Sequence, residues 1–190
     1  MTYRLAILAG GWSRRMGFDK ATLQVAGESV LARLIARLDS PLGRPWILCR
    51  SAQNLEIPVG SVAMHDVSPG DGPLVALSQI AIQPSSAPVL VVPCDMPDLP
   101  FDLGSVFAAA QASSAADAVL VRNQGRREPL PVLLMPSALR AIAEAVRLNA
   151  RRADAWHGAV AIHDVDAEAI WGEQAMRSFR NVNSQSHLTT

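Results

Sequence analysis

Leu5-Ala6-Ile7-Leu8-Ala9-Gly10-Gly11 is an unbroken apolar run stopped by two glycines. A run this short with no polar alternation fits a strand buried on both faces, as in a parallel sheet. Working outward, residues 29–38 place Val30, Leu31, Leu34, Ile35 and Leu38 at helical spacing, with Arg33 and Arg37 on the other side, which predicts an amphipathic crossover helix. Residues 45–49 read as a second strand. Gly72-Pro73 opens a helical run over 74–82, and residues 88–94 form another fully apolar strand. Beyond it, an acidic start and an alanine-rich body predict a helix over 102–112. Strands are expected at 118–121 and 132–135 around a polar loop at 122–128, then a helix over 137–148 and a strand at 159–162 before a polar tail. With no internal repeat or linker, residues 1–190 are expected to form a single three-layer α/β/α domain on a mostly parallel sheet.

Composition narrows the function classes. The 190 residues carry 17 Lys+Arg and 17 Asp+Glu, a net charge of zero, so no general field draws the chain to nucleic acid. Hydrophobic residues at 49% against 18% charged place it on the globular side, and a chain this long buries roughly 70% of its unfolded surface. No apolar run approaches the ~18 residues of a membrane span. The start, Met1-Thr2-Tyr3-Arg4, followed by a short apolar run, is no secretory pattern, and a cytosolic location is expected. Cys49 and Cys94 lack zinc-binding spacing and read as buried free thiols.

Ligands of parallel α/β sheets sit beyond the strand carboxyl ends. Two features fall there. The first is the loop from Leu8 to Lys20, in which Gly10 and Gly11 let main-chain N–H groups approach an anion while Arg14, Arg15 and Lys20 supply three cations. It has neither the GxxxxGK[ST] order of a P-loop nor the GxGxxG order of a dinucleotide fingerprint. The second is Pro93-Cys94-Asp95-Met96-Pro97, which sets one carboxylate just after a buried strand. Mg²⁺ takes one or two protein carboxylates and completes its shell with water and substrate phosphates, so a single Asp95 suffices. Asp98 and Asp102 read instead as turn or helix-capping residues. Asp66 precedes Gly70-Asp71-Gly72-Pro73, where the glycines leave room for a ring or sugar. His65 has no second histidine nearby and reads as a surface or packing residue. Ser13 has no adjacent base, which argues against acyl chemistry. Trp156 and Trp171 read as packing anchors.

The loop 8–21, LAGGWSRRMGFDKA, resembles the signature LAGGxSxRMGxDK of the molybdenum cofactor guanylyltransferases. The likeness continues through Asp66, Gly72-Pro73-Leu74, Pro93-Cys94-Asp95, Pro129-Leu130, Arg151-Arg152 and Phe179-Arg180-Asn181-Val182-Asn183-Ser184. The resemblance implies a Rossmann-like fold of the nucleotide-diphospho-sugar transferase type. It also implies transfer of GMP from Mg·GTP to molybdopterin, with pyrophosphate released and cofactor-delivery proteins as partners. By the same resemblance Leu8, Ala9, Gly10 and Gly11 bind the nucleotide by main chain, Lys20 its phosphates, Asp66 the guanosine part, and Asp95 both nucleotide and Mg²⁺. Arg15 neutralises the triphosphate, and Asn181 and Asn183 face the molybdopterin. One departure stands out: where the family often has an Asn at the end of the second strand, this chain reads Leu48-Cys49-Arg50-Ser51, with Arg50 the candidate substitute. Three alternatives stay open: a cytidylyltransferase acting on the same cofactor, another nucleotidylyltransferase acting on a sugar or polyol phosphate, and a nucleotide-binding protein without turnover. Glycine at 11, where cytidylyl relatives resemble LAAG, leaves more space for a purine.

Overall fold

The computed structural model describes residues 1–11, 20–25, 27–51, 53–66, 72–83 and 87–182. Nine strands are assigned among them: β1 (Arg4–Leu8), β2 (Gln24–Val25), β3 (Glu28–Ser29), β4 (Trp46–Arg50), β5 (Val62–Asp66), β6 (Val89–Pro93), β7 (Ala118–Asn123), β8 (Arg126–Leu134) and β9 (Ile162–Asp166). The α-helices are α1 (Val30–Arg37), α2 (Pro73–Ala81), α3 (Leu103–Ser114), α4 (Pro136–Arg147), α5 (Ala167–Trp171) and α6 (Gln174–Ser178). Seven strands form one sheet in the order β5-β4-β1-β6-β8-β7-β9, and β2 and β3 make a separate small hairpin. β4, β5 and β6 run parallel with β1, and β9 with β7, whereas β8 is antiparallel to both neighbours. The mostly parallel α/β expectation therefore holds, with β8 the reversed strand.

Alternation along the central strands builds the three layers. Leu5, Ile7, Leu90 and Val92 point to a core shared with Leu31 and Leu34 of α1 and Leu103 and Phe107 of α3. Ala6, Leu48, Val89 and Val91 point to the other face, against Leu74, Leu77 and Ile80 of α2 and Leu139 and Ile142 of α4. A strand with both faces covered has no polar period, which is why β1 and β6 read as continuous apolar runs. Full burial of each such aliphatic side chain contributes about 1.5–3 kcal/mol. Helix α1 starts as its sequence requires, with the Ser29 hydroxyl accepting from the Ala32 N–H at 3.1 Å. Helix α2 starts on Gly72 at φ 95°, followed by Pro73 in the first turn. Trp156 is 1% exposed in the α2/α4 core, and Trp171 packs at 5.3 Å on Phe179, both as anchors.

Four elements depart from expectation. Residues 122–128 are not a loop but the tip of the β7–β8 hairpin, turning at Gln124 and Gly125, both with positive φ. The last strand lies at Ile162–Asp166 rather than 159–162, because residues 157–159 wind into a 3₁₀ turn. The tail carries α5 and α6. β5 has no counterpart in the sequence reading: on the sheet edge Val62, Ala63 and His65 are exposed and Met64 and Asp66 half-buried, and the three apolar residues Val62-Ala63-Met64 are too short a run to mark a strand. Among the described residues no helix is long and apolar enough to cross a membrane.

Candidate nucleotide site

The strand order reverses at β1: the chain adds β4 and β5 on one side, then returns to place β6 on the other. Such a switch point opens a crevice beyond the carboxyl ends of the strands. A cleft of about 470 Å³ lies there, of the size that takes a small-molecule ligand. Leu8, Ala9, Gly10 and Gly11 leave β1 along one wall; Leu48 and Asp66 come from β4 and β5; Gly72, Pro73 and Ala76 present the start of α2; Pro93, Cys94 and Asp95 follow β6; Lys20 and Leu130 complete the lining.

The main chain at the end of β1 is held from both sides. Leu8 C=O accepts from the Cys94 N–H at 3.1 Å, and the Ala9 N–H donates to Leu48 C=O at 2.8 Å. Gly10 and Gly11 follow with no φ in the left-handed region. Among the described residues a Cβ at Gly11 would meet nothing within 4 Å, and one at Gly10 would make only ordinary contacts at 3.5 Å. Among the described residues nothing demands glycine at 11, and Gly11 lines the cleft.

Lys20 begins a 3₁₀ turn anchored by Ala21 at 1% and Leu23 at 3% exposure. From there its Nζ reaches Asp95 Oδ2 at 2.9 Å. Asp95 sits between buried Cys94 and Met96, and its carbonyl accepts from the Val182 N–H at 2.7 Å. The pair is about one-fifth exposed on each side chain, and ion pairs with such access to water contribute only about 0–1 kcal/mol. Its consequence is placement: a cation and a carboxylate meet at the mouth of a glycine-lined cleft. Among the described residues no cluster of three or more His, Cys, Asp or Glu could cage a metal ion. A single hard carboxylate at Asp95 nevertheless fits Mg²⁺, which completes its octahedron from water and nucleotide phosphates.

Of the residues singled out from the sequence, Leu8, Ala9, Gly10, Gly11, Lys20, Asp66 and Asp95 share this cleft. Asn181 is exposed, next to the Val182 that bonds Asp95. Ser13, Arg14, Arg15, Gly70, Asp71 and Asn183 lie outside the described residues. Asp98 accepts from Arg33 at 2.7 Å and Asp102 from the Trp171 indole at 2.9 Å; Asp102 occupies the N-cap position of α3 without a side-chain cap bond. Neither lines the cleft. His65 is exposed, with Nδ1 3.8 Å from Cys49 Sγ, and both cysteines are buried free thiols. Gln53 escaped the sequence reading: its side-chain amide bonds Ala9 C=O at 2.9 Å and the Arg50 N–H at 3.0 Å. A lone glutamine in a polar stretch gives no motif to find it by.

A family model described as the MobA-like NTP transferase domain matches residues 5–163. The chain belongs to the MobA-like NTP transferase family. It is therefore a nucleotidyltransferase. A protein named molybdenum cofactor guanylyltransferase from Shewanella amazonensis is 32% identical over 96% of this chain and 91% of its own length. One of the same name from Shewanella loihica is 34% identical over 80% and 78%. Among solved structures, molybdopterin-guanine dinucleotide biosynthesis protein A from Archaeoglobus fulgidus superposes with a TM-score of 0.75 at 18% identity, covering 97% of this chain and 94% of that one. The 2-C-methyl-D-erythritol 4-phosphate cytidylyltransferase of Thermus thermophilus superposes at 0.69 and 18% identity, over 99% and 96%. At such identities these two structures speak for the shared fold of nucleotide-diphospho-sugar transferases.

Proposed function

We propose that this MobA-like transferase moves GMP from Mg·GTP to molybdopterin, forming molybdopterin guanine dinucleotide and pyrophosphate. The observation that carries the reading is the Lys20 Nζ to Asp95 Oδ2 contact of 2.9 Å at the mouth of the glycine-lined cleft. The names of the Shewanella relatives support it.

In this reading a phosphate oxygen of molybdopterin attacks the α-phosphorus of GTP in line. The bond to the β-phosphate bridging oxygen breaks, and pyrophosphate departs with no covalent enzyme intermediate. Leu8, Ala9, Gly10 and Gly11 offer the main chain to the nucleotide, and Asp66, at the end of β5, takes the guanosine part. Lys20 and Arg15 stabilise charge on the triphosphate and its leaving half, an effect of roughly 3 kcal/mol per well-aimed donor. Asp95 would hold Mg²⁺, which when bound would offset phosphate charge. Asn181 and Asn183 serve the molybdopterin, and the Val182 N–H, beside Asn181, bonds the main-chain carbonyl of Asp95, the residue that carries the metal-binding carboxylate. One cytosolic domain that passes its product to delivery proteins completes the proposal.

A second reading is cytidylyl transfer, which the shared fold also accommodates, since a cytidylyltransferase superposes on this chain. The open space at Gly11 supports the purine instead. Thermal-shift titrations with GTP, CTP and ATP, with and without Mg²⁺, separate the two, because a ligand of the folded state raises stability by RT ln(1 + [L]/Kd). The expected result is a Mg²⁺-linked preference for GTP, followed by pyrophosphate release on adding molybdopterin. A preference for CTP overturns the guanylyl reading.

A further inference from the structure

The β1–β4 ladder ends in a way that parallel pairing alone does not produce. Ala6, Ile7 and Leu8 pair with Trp46, Ile47 and Leu48, and the Ala9 N–H donates to Leu48 C=O. The evenly spaced rungs of a parallel ladder make Arg50 N–H to Ala9 C=O the next bond. Instead the Arg50 N–H donates to Gln53 Oε1 at 3.0 Å, and Gln53 Nε2 donates to Ala9 C=O at 2.9 Å. The Gln53 N–H returns to Arg50 C=O at 3.1 Å, closing the turn that folds this side chain back on the strand end. A carboxamide is donor on one side and acceptor on the other, as a peptide unit is, so it satisfies both main-chain groups while keeping them one amide further apart.

The inserted amide falls at the first residues of the cleft. Ala9 C=O and Gly10 N–H belong to one planar trans peptide and point in opposite directions. Holding Ala9 C=O toward β4 therefore aims the Gly10 N–H away from β4. With the amide in place the spacing is that of ordinary contact: a Cβ on Gly10 would stand 3.5 Å from Arg50 N and from the Cys49 carbonyl carbon. A direct rung would draw the two chain ends together there and turn the Ala9–Gly10 peptide.

We infer that Gln53 is a positioning residue for the nucleotide: its carboxamide, spliced into the β1–β4 ladder, holds the cleft open and sets the direction of the Gly10 N–H. The inference rests on the guanylyl reading and deepens it. It also gives the chain an amide close to Leu48-Cys49-Arg50-Ser51, where the family's asparagine is missing.

The test measures Mg·GTP binding to the full chain by calorimetry at pH 8 and pH 5.5, for the unaltered protein, Gln53→Ala and Gln53→Glu. Gln53→Ala weakens binding about tenfold at both pH values, the worth of one hydrogen bond, with a melting temperature within a few degrees of the parent. Gln53→Glu keeps the acceptor for Arg50 but sets a carboxylate oxygen against Ala9 C=O. It therefore binds at least as poorly at pH 8, and its deficit narrows at pH 5.5 as the fraction of protonated acid, which donates as the amide did, rises. Variants that bind like the parent, or a Gln53→Glu deficit that does not change with pH, overturn the role of Gln53 alone. A parent that ignores GTP overturns the guanylyl reading and this inference with it.

Discussion

The main-chain N–H of Val182 donates to the carbonyl oxygen of Asp95 at 2.7 Å, joining a segment near the end of the described chain to the turn that follows β6. Val182 is 4% exposed and packs in the α1/α3 core, so the bond sits on a fixed platform. Removing the donor and removing the side chain should have different effects. Val182→Pro loses the N–H, and turnover should fall about tenfold or more as the Asp95 turn loses its tether. Val182→Ala keeps the N–H and should lower melting temperature while retaining most turnover. Equal turnover losses in the two variants would show that the bond does not position Asp95.

Lys20 and Asp95 share one ion pair but have separate duties in the proposed reaction. Lys20→Ala should leave the fold intact, since a pair this exposed contributes little stability, and should lose on the order of 10²-fold in turnover. Asp95→Asn should abolish the Mg²⁺ dependence of nucleotide binding, read as equal thermal shifts with GTP whether or not Mg²⁺ is present. Near-normal turnover in Lys20→Ala would remove it from the mechanism, and an unchanged metal requirement in Asp95→Asn would make that residue a turn former.

Much of this site was legible because parallel strands buried on both faces advertise themselves, and the loops after β1 and β6 carry a strong motif. Leu5 to Ala9 and Val89 to Val92 have nothing polar to blur their limits. The rest was hidden for physical reasons. Val62–Asp66 is an edge strand with water on much of its surface, and its apolar stretch is cut to Val62-Ala63-Met64 by His65 and Asp66. His163, Asp164 and Asp166 on β9 conceal the other edge in the same way. Gln53 works through two hydrogen bonds to main chain, one accepted and one donated, and a single carboxamide doing so leaves no pattern in the surrounding sequence.

Gly104, in the first turn of α3, is fixed by packing rather than by backbone freedom. A Cβ there would overlap the Tyr3 hydroxyl oxygen and its Cζ, and Tyr3 is itself only 5% exposed. Two effects compete in Gly104→Ala. Alanine gains up to about 1 kcal/mol of helix propensity, while overpacking a buried ring costs typically 1–3 kcal/mol. The clash should win, giving net destabilisation in urea unfolding, and Tyr3→Phe in the same chain should restore part of it by deleting the hydroxyl. A stabilised Gly104→Ala would mean that the ring moves aside freely.

Asp164 on β9 accepts from Arg127 at 2.7 Å through both Nε and Nη2, and from Arg122 at 2.9 Å. The Arg127 hydrogen bonds, seconded by Arg122, hold its carboxyl below the usual carboxylate range. Asp117, at the start of β7, is also held low, first by the Ser137 hydroxyl and then by the Ala161 N–H. A carboxyl with a folded-state pKa below its unfolded value of about 3.9 binds fewer protons when folded. Its stabilising effect is therefore complete above pH ~4–5 and is lost as pH falls through the unfolded value toward the folded one. Asp164→Asn should lower stability at pH 7 by about 1 kcal/mol, since the bridge is partly solvated, and should flatten the acid limb of a stability profile between about pH 5 and 2. The Arg122 and Arg127 bonds close the β7–β9 side of the sheet, away from the Lys20–Asp95 pair, so Mg·GTP binding at pH 7 should not change. A full-sized acid limb in Asp164→Asn would assign it to other carboxylates, with Asp117 tested next.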